Sequence, residues 1–142
     1  MKKILIASDH AGFKLKEELK SSLATEFEFI DLGTNSEGSV DYPDFGTALA
    51  KAIENKKAEF GILICGSGVG ISIAANRNPA VRAALVYNEE IAKLSRQHND
   101  ANVICLGARF LDITTARKLV EIFLNTPFEG GRHENRVKKL SC

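Results

Sequence analysis

Five short runs of apolar, largely β-branched residues punctuate the chain: Lys3 to Ala7 (KILIA), Phe27 to Leu32 (FEFIDL), Gly61 to Cys65 (GILIC), Val81 to Val86 (VRAALV) and Asn102 to Leu106 (NVICL). Each has the length of a strand. Between them apolar residues recur at helical spacing. Phe13, Leu15, Leu19 and Leu23 fall mostly on one face of a helix, and Phe45, Leu49, Ala52 and Ile53 repeat the pattern. Ser72 to Asn76 is a shorter helical candidate. Asn88 can cap a helix through Ser95 with Glu89 and Glu90 in its first turn, and Asp112 can cap one running to Leu124. Strands that alternate with helices predict βαβ units around a parallel sheet of five strands.

Composition narrows the class. A chain of 142 residues is the size of one ordinary domain, with 44% hydrophobic and 26% charged residues. No apolar stretch approaches the ~18 residues of a membrane span, and the run Ile4 to Ala7 is too short for a signal-peptide core. No membrane partner is expected, and the cytoplasm is the expected compartment. Cys65, Cys105 and Cys142 are odd in number and form no CxxC pair, which suits neither a disulfide framework nor a zinc site. A net charge of +1 without basic runs argues against nucleic acid. The turn-rich stretches at 33–39 and 125–131 are only loops, so residues 1–142 read as one unit.

In open parallel sheets ligands bind beyond the carboxyl ends of the strands. SDHAG (Ser8 to Gly12), CGSGVG (Cys65 to Gly70) and GARF (Gly107 to Phe110) follow the first, third and fifth strands, and SRQHND (Ser95 to Asp100) brings the chain back toward the sheet. An acid, two histidines, a thiol and an arginine are therefore expected at this edge.

The glycine loop after the third strand completes no nucleotide or hydrolase motif. A dinucleotide fingerprint fails at Ile71, a phosphate-binding lysine is missing after Gly70, and the nucleophile-elbow glycines are replaced by Cys65 and Val69. What remains is a run of small residues whose N–H groups converge beside a helix start, an anion cradle. It has no cation of its own, so it suits charge that develops during a reaction, in the manner of an oxyanion hole. The same field favours a thiolate at Cys65, as base or nucleophile. The alternative is a buried apolar cysteine in a tight turn; that reading suits Cys105, whereas the strand end favours the reactive one for Cys65.

SDHAG, DYPDFG (Asp41 to Gly46), ICGSGVGISIAAN (Ile64 to Asn76), SRQHNDANVICLGAR (Ser95 to Arg109) and EGGRHENRV (Glu129 to Val137) together resemble the type B ribose-5-phosphate isomerases, in register from Met1 to about Leu140. Isomerases of galactose 6-phosphate and allose 6-phosphate share several of these motifs. The resemblance implies a Rossmann-like three-layer α/β fold with helices on both faces. It also implies a metal-free, cofactor-free interconversion of ribose 5-phosphate and ribulose 5-phosphate in the pentose phosphate route. The family works as a homodimer, sometimes a tetramer.

Residue roles follow from the same resemblance. Cys65 matches the base for the C2 proton; the glutamate that replaces it in some members would stand at Ile71. Ser67 with Gly66, Gly68 and Gly70 matches the hole for the enediolate. His98 matches the residue that opens the sugar ring, with Asp9 holding a hydroxyl and Asn99 assisting. Arg132 and Arg136, four apart in a terminal helix at about 132–140, match a phosphate clamp. His10, Arg109 and His133 match further phosphate-side or sugar-side positions, and Tyr42 one that closes over the sugar. The family builds each site from both subunits. A non-catalytic phosphate-binding, receiver-like domain is the rival of another class, disfavoured because the third strand ends in Cys65 and not in a phosphorylatable aspartate.

Overall fold

Strands covered on both faces need apolar residues at nearly every position, and KILIA, GILIC and NVICL meet that need. In the computed structural model, which describes residues 1–141, they lie in β1 (Lys2–Ser8), β3 (Phe60–Cys65) and β5 (Val103–Gly107), buried from Ile4 to Ser8 and throughout β3 and β5. β2 (Phe27–Asp31) and β4 (Ala83–Leu85) form the edges of a fully parallel sheet, in the order β2-β1-β3-β5-β4. β4 is shorter than Val81 to Val86. Arg82 is drawn toward the neighbouring loop, its N–H donating to Asn102 Oδ1 (2.7 Å) and its Nε to the Asp100 carbonyl (2.8 Å).

Alternate side chains of the strands feed two cores. Ile4, Ile6, Ile62, Ile64, Ile104 and Leu106 pack under α1 (Phe13–Ser22), α4 (Glu89–Gln97) and α5 (Ile113–Asn125). Leu5, Ala7, Leu63, Cys65, Val103 and Cys105 pack under α2 (Tyr42–Glu54) and α3 (Val69–Asn76). The three-layer α/β arrangement is thus present. Asn88 and Asp112 cap α4 and α5 as expected, accepting from the N–H groups of Ile91 (2.9 Å) and Thr115 (2.8 Å). α2 starts before Phe45 because Pro43 is preorganised for a first turn. α3 starts at Val69, ahead of Ser72, because Gly68 takes the left-handed φ of 80° that lets the turn run straight into the helix. α6 (His133–Leu140) is the last helix among the described residues.

The connections decide where a ligand can sit. The chain leaves β1 toward the α1 face, leaves β3 toward the α2–α3 face, and leaves β5 toward the α4–α5 face. β3 is therefore flanked on both sides by strands whose exits turn the other way, and crevices open on either side of its carboxyl end. α4 runs antiparallel to the strands, so its last turn and His98 return to the opposite, amino edge, beside the start of β5. The expectation that SRQHND would meet the other motifs at the carboxyl edge is corrected here: the length of β5, roughly 15 Å at strand rise, lies between them.

Candidate active site

The carboxyl edge assembles the first group of residues. Cys65 closes β3 with its side chain 4% exposed, and the N–H of Gly68 donates to its Sγ at 3.1 Å. A side chain at Gly68 would be strained by φ and would also press within 2.7 Å of Leu85 Cδ1. Ser67 Oγ accepts from the N–H of Val69 (3.2 Å), while Gly70 and Ile71, the next amides of the first turn of α3, have no acceptor within the helix. These two amides and the Ser67 hydroxyl are able to receive a negatively charged oxygen, whereas of the expected Gly66, Gly68 and Gly70 set the Gly68 amide is already engaged with Cys65 Sγ.

Neighbouring strands furnish its walls. Asp9, buried at the end of β1, caps the 3₁₀ turn His10–Gly12 by accepting from the Gly12 N–H (3.1 Å), and its own N–H donates to the Ile64 carbonyl (3.2 Å). His10 Nδ1 accepts from the Val40 N–H (3.1 Å) and ties down the loop before α2. That helix begins with Tyr42, whose ring covers Gly70 so closely that a Cβ there would stand 2.6 Å from it. From β5, Ala108 N–H donates to the Cys65 carbonyl (2.9 Å) and Arg109 N–H to the Gly66 carbonyl (3.0 Å). The Arg109 guanidinium lies over Gly66, 2.9 Å from where a Cβ would be. It is the one cation of the sequence-derived set that reaches this edge.

The amino edge holds the second group. His98, at the C-cap of α4, stacks on His133, ring centroids 4.3 Å apart and planes 13° from parallel. Glu129 Oε1 lies 3.8 Å from His98 Nε2 and 3.6 Å from His133 Nε2. Those three groups offer atoms all within 4.8 Å of one another, close enough for a cation to bridge, but the guanidinium of Arg132 already donates to His133 Nε2 at 3.4 Å. Burial, and then the charges of His98 and Arg132, push the His133 imidazole below the usual histidine range, against an opposite pull from Glu129. His98, Asn99, His133 and Arg136 line one cavity of about 280 Å³. Arg132 and Arg136 are both exposed near the start of α6, as a clamp for an incoming anion requires.

Three residues that sequence reasoning passed over support this arrangement. Arg96 is buried beneath SRQHND, donating to Asp100 Oδ1 (2.8 Å), the Ala101 carbonyl (2.7 Å) and the Thr126 carbonyl (3.0 Å), with its guanidinium 4.8 Å above the Phe60 ring. Its signal was an arginine four residues after Ala92 on the apolar face of an amphipathic helix. Glu129 stands inside the EGGRHENRV motif, and its N–H donates to the Gln97 carbonyl (3.1 Å), joining the two motifs that supply the histidines. Tyr87 follows β4, and its hydroxyl donates to the Ser67 carbonyl; nothing in the local sequence marks it. Cys65 and Cys105 are free, and burial first, then negative charge at Cys65, push the Cys105 thiol far up, as befits an inert core residue. Cys142 lies outside the described residues. A wider groove of about 680 Å³ between α1 and α5 has no histidine or cysteine in its lining.

Known proteins match this chain over nearly its whole length. Residues 4–140 match the family model described as Ribose/Galactose Isomerase. Ribose-5-phosphate isomerase B of Escherichia coli is 44% identical over 143 residues, covering 100% of this chain and 96% of that protein. The crystal structure of a ribose 5-phosphate isomerase from Thermotoga maritima superposes with a TM-score of 0.96 at 49% identity, covering 99% of this chain and 97% of that one. Ribose-5-phosphate isomerase B from Mycoplasma genitalium, solved with bound ribulose-5-phosphate, gives a TM-score of 0.91 at 46% identity over 98% of this chain and 93% of that one. With the fold, the strand-end cysteine and the match over nearly its whole length, the chain belongs to the ribose/galactose isomerase family.

Proposed function

We propose that the chain interconverts D-ribose 5-phosphate and D-ribulose 5-phosphate, and the observation that carries the reading is the Cys65 thiol held beside the free first-turn amides of α3. In the open-chain aldose, C2 gives up its proton only if the charge that forms on the carbonyl oxygen is stabilised as it forms. Cys65 Sγ takes that proton, and the Gly70 and Ile71 amides with the Ser67 hydroxyl receive the enediolate oxygen. Transfer of the O2 proton to O1, and return of the abstracted proton from Cys65 Sγ to C1, then give the ketose. Electrons move only within the sugar, so the overall step requires no external oxidant or reductant. Asp9 holds a sugar hydroxyl, while Tyr42 and Arg109 cover the chain of carbons from either side.

Ring opening and phosphate binding fall to His98, Asn99, Arg132, His133 and Arg136, which sit at the other edge of the same chain. A two-fold dimer in which the amino edge of one copy meets the carboxyl edge of the other completes two equivalent sites. The C-terminal helix would then lie at the subunit boundary. Exposed apolar residues support this: Val69 (44%) and Ile73 (53%) are four apart on α3, and Leu140 (59%) ends α6. Free, buried thiols suit a reducing cytoplasm.

Turnover of ribose 5-phosphate and of allose 6-phosphate, by the wild type and by Cys65→Ala, tests the reading. A preference for the pentose and a loss of about 10²- to 10⁴-fold in Cys65→Ala are expected. Preference for the hexose, or full activity without the thiol, overturns it.

A further inference from the structure

We propose that Tyr87 is a positioning residue, which locks the Ser67–Gly68 peptide with its N–H aimed at the Cys65 sulfur. The inference rests on the reading of Cys65 as the proton-abstracting base.

One peptide unit connects the two groups. Its carbonyl, from Ser67, accepts from the Tyr87 hydroxyl, and its N–H, from Gly68, donates to Cys65 Sγ at 3.1 Å. Rotation of that peptide would withdraw the donor from the sulfur and bring a carbonyl oxygen toward it. The Arg109 N–H and the Ser72 N–H hold the Gly66 and Gly68 carbonyls on either side, but neither touches the Ser67–Gly68 peptide itself, and Gly66, Gly68 and Gly70 carry no side chain to resist its rotation. Tyr87 supplies the missing restraint. Its ring stands edge-on to Phe110 (centroids 6.1 Å apart, 69°), which fixes the direction of the hydroxyl. Gly107 lies below and leaves the space, because a Cβ there would come within 2.6 Å of the Ser67 carbonyl oxygen. Burial, and then negative charge at Cys65, push the Tyr87 phenol above its ordinary range, so it remains a donor throughout the neutral region.

A donor N–H at sulfur favours the thiolate over the thiol. The ultraviolet absorbance of the thiolate, titrated in the free enzyme as the difference from Cys65→Ser, reads this without any substrate. In Tyr87→Phe the midpoint should move to higher pH, the acid limb of the kcat/KM profile should follow it, and kcat should fall about tenfold with KM nearly unchanged. Phe110→Ala, a change at an exposed ring, should give the same shift in smaller measure. A Tyr87→Phe midpoint superimposable on that of the wild type, in a protein that melts normally, overturns the proposal. A midpoint that moves while the activity profile does not leaves the peptide lock standing and refutes Cys65 as the base, so the two failures are distinguishable.

Discussion

His98 and His133 lie face to face at 4.3 Å, and the Glu129 carboxylate reaches the Nε2 of both. Charge on His98 opposes charge on His133, because two imidazolium charges at this distance repel. Burial adds to that reluctance at His133, whose imidazole is held below the usual range. The folded chain therefore binds a proton there less readily than the unfolded chain does. Stability from this site is fully present above about pH 6.5 and is lost as pH falls through the lower folded value. Thermal melts across this range should show the wild type weakening on acidification, and His133→Asn weakening less; parallel curves would remove His133 as the cause.

A second acid-sensitive contact lies under α1, at the β2 edge of the sheet. Lys16, with a side chain 0% exposed, holds Asp31 Oδ2 at 2.6 Å and Glu17 Oε2 at 3.0 Å, and Lys20 reaches the same Asp31 oxygen at 2.7 Å. Burial pushes the Asp31 carboxyl up, but the bonds from Lys16, Lys20 and the Gly33 N–H outweigh it and leave it below the ordinary range. Its contribution is present above about pH 3.9 and disappears as pH falls through the folded value. Asp31→Asn should cost about 2 kcal/mol, less than a fully buried pair because Glu17 still faces Lys16 and water reaches Asp31. Lys16→Met, which removes the buried charge itself, should cost under about 1 kcal/mol. Denaturant titrations of both variants at neutral pH decide the order, and an equal cost would contradict it.

If Arg132 and Arg136 clamp the substrate phosphate as proposed, the cations of α6 separate into two groups. Arg132 and Arg136 stand beside the cavity lined by His98 and His133, whereas Lys138 and Lys139 are exposed residues of the last turn. A charge-assisted bond to phosphate contributes about 1.5 to 3 kcal/mol, so Arg132→Ala or Arg136→Ala should raise KM roughly 10- to 100-fold. The double change Lys138→Ala with Lys139→Ala should leave KM within about twofold. Steady-state kinetics on ribose 5-phosphate provide the check, and a KM indifferent to the arginines would move the phosphate elsewhere.

Much of this molecule was legible in its sequence because its strong signals are local. The β1, β3 and β5 runs are apolar at nearly every position, Asn88 and Asp112 are caps, and the glycines after Cys65 allow the left-handed turn at Gly68 that leads straight into a helix. Boundaries shifted where backbone geometry, not hydrophobicity, set them, as at Pro43 and Gly68. What a local pattern cannot carry is which edge of the sheet a loop occupies. His98 follows a helix that returns to the amino edge, and only strand order and helix direction reveal that it stands apart from Cys65. Tyr87 and Arg96 were missed for a related reason: each acts through a partner remote in the chain, the Ser67 carbonyl and the Phe60 ring.

That separation gives the sharpest expectation about assembly. If Cys65 of one copy works with His98 of another, Cys65→Ala and His98→Ala are each inactive alone, yet their mixed dimer contains one site with both residues intact and one with both removed. Random reassortment makes about half the dimers mixed, and each has one working site of two, so about a quarter of wild-type activity should return. Unfolding and refolding the two variants together, then assaying against each refolded separately, measures it. If both residues served a site within one chain, each copy would still lack one of them and mixing would restore nothing.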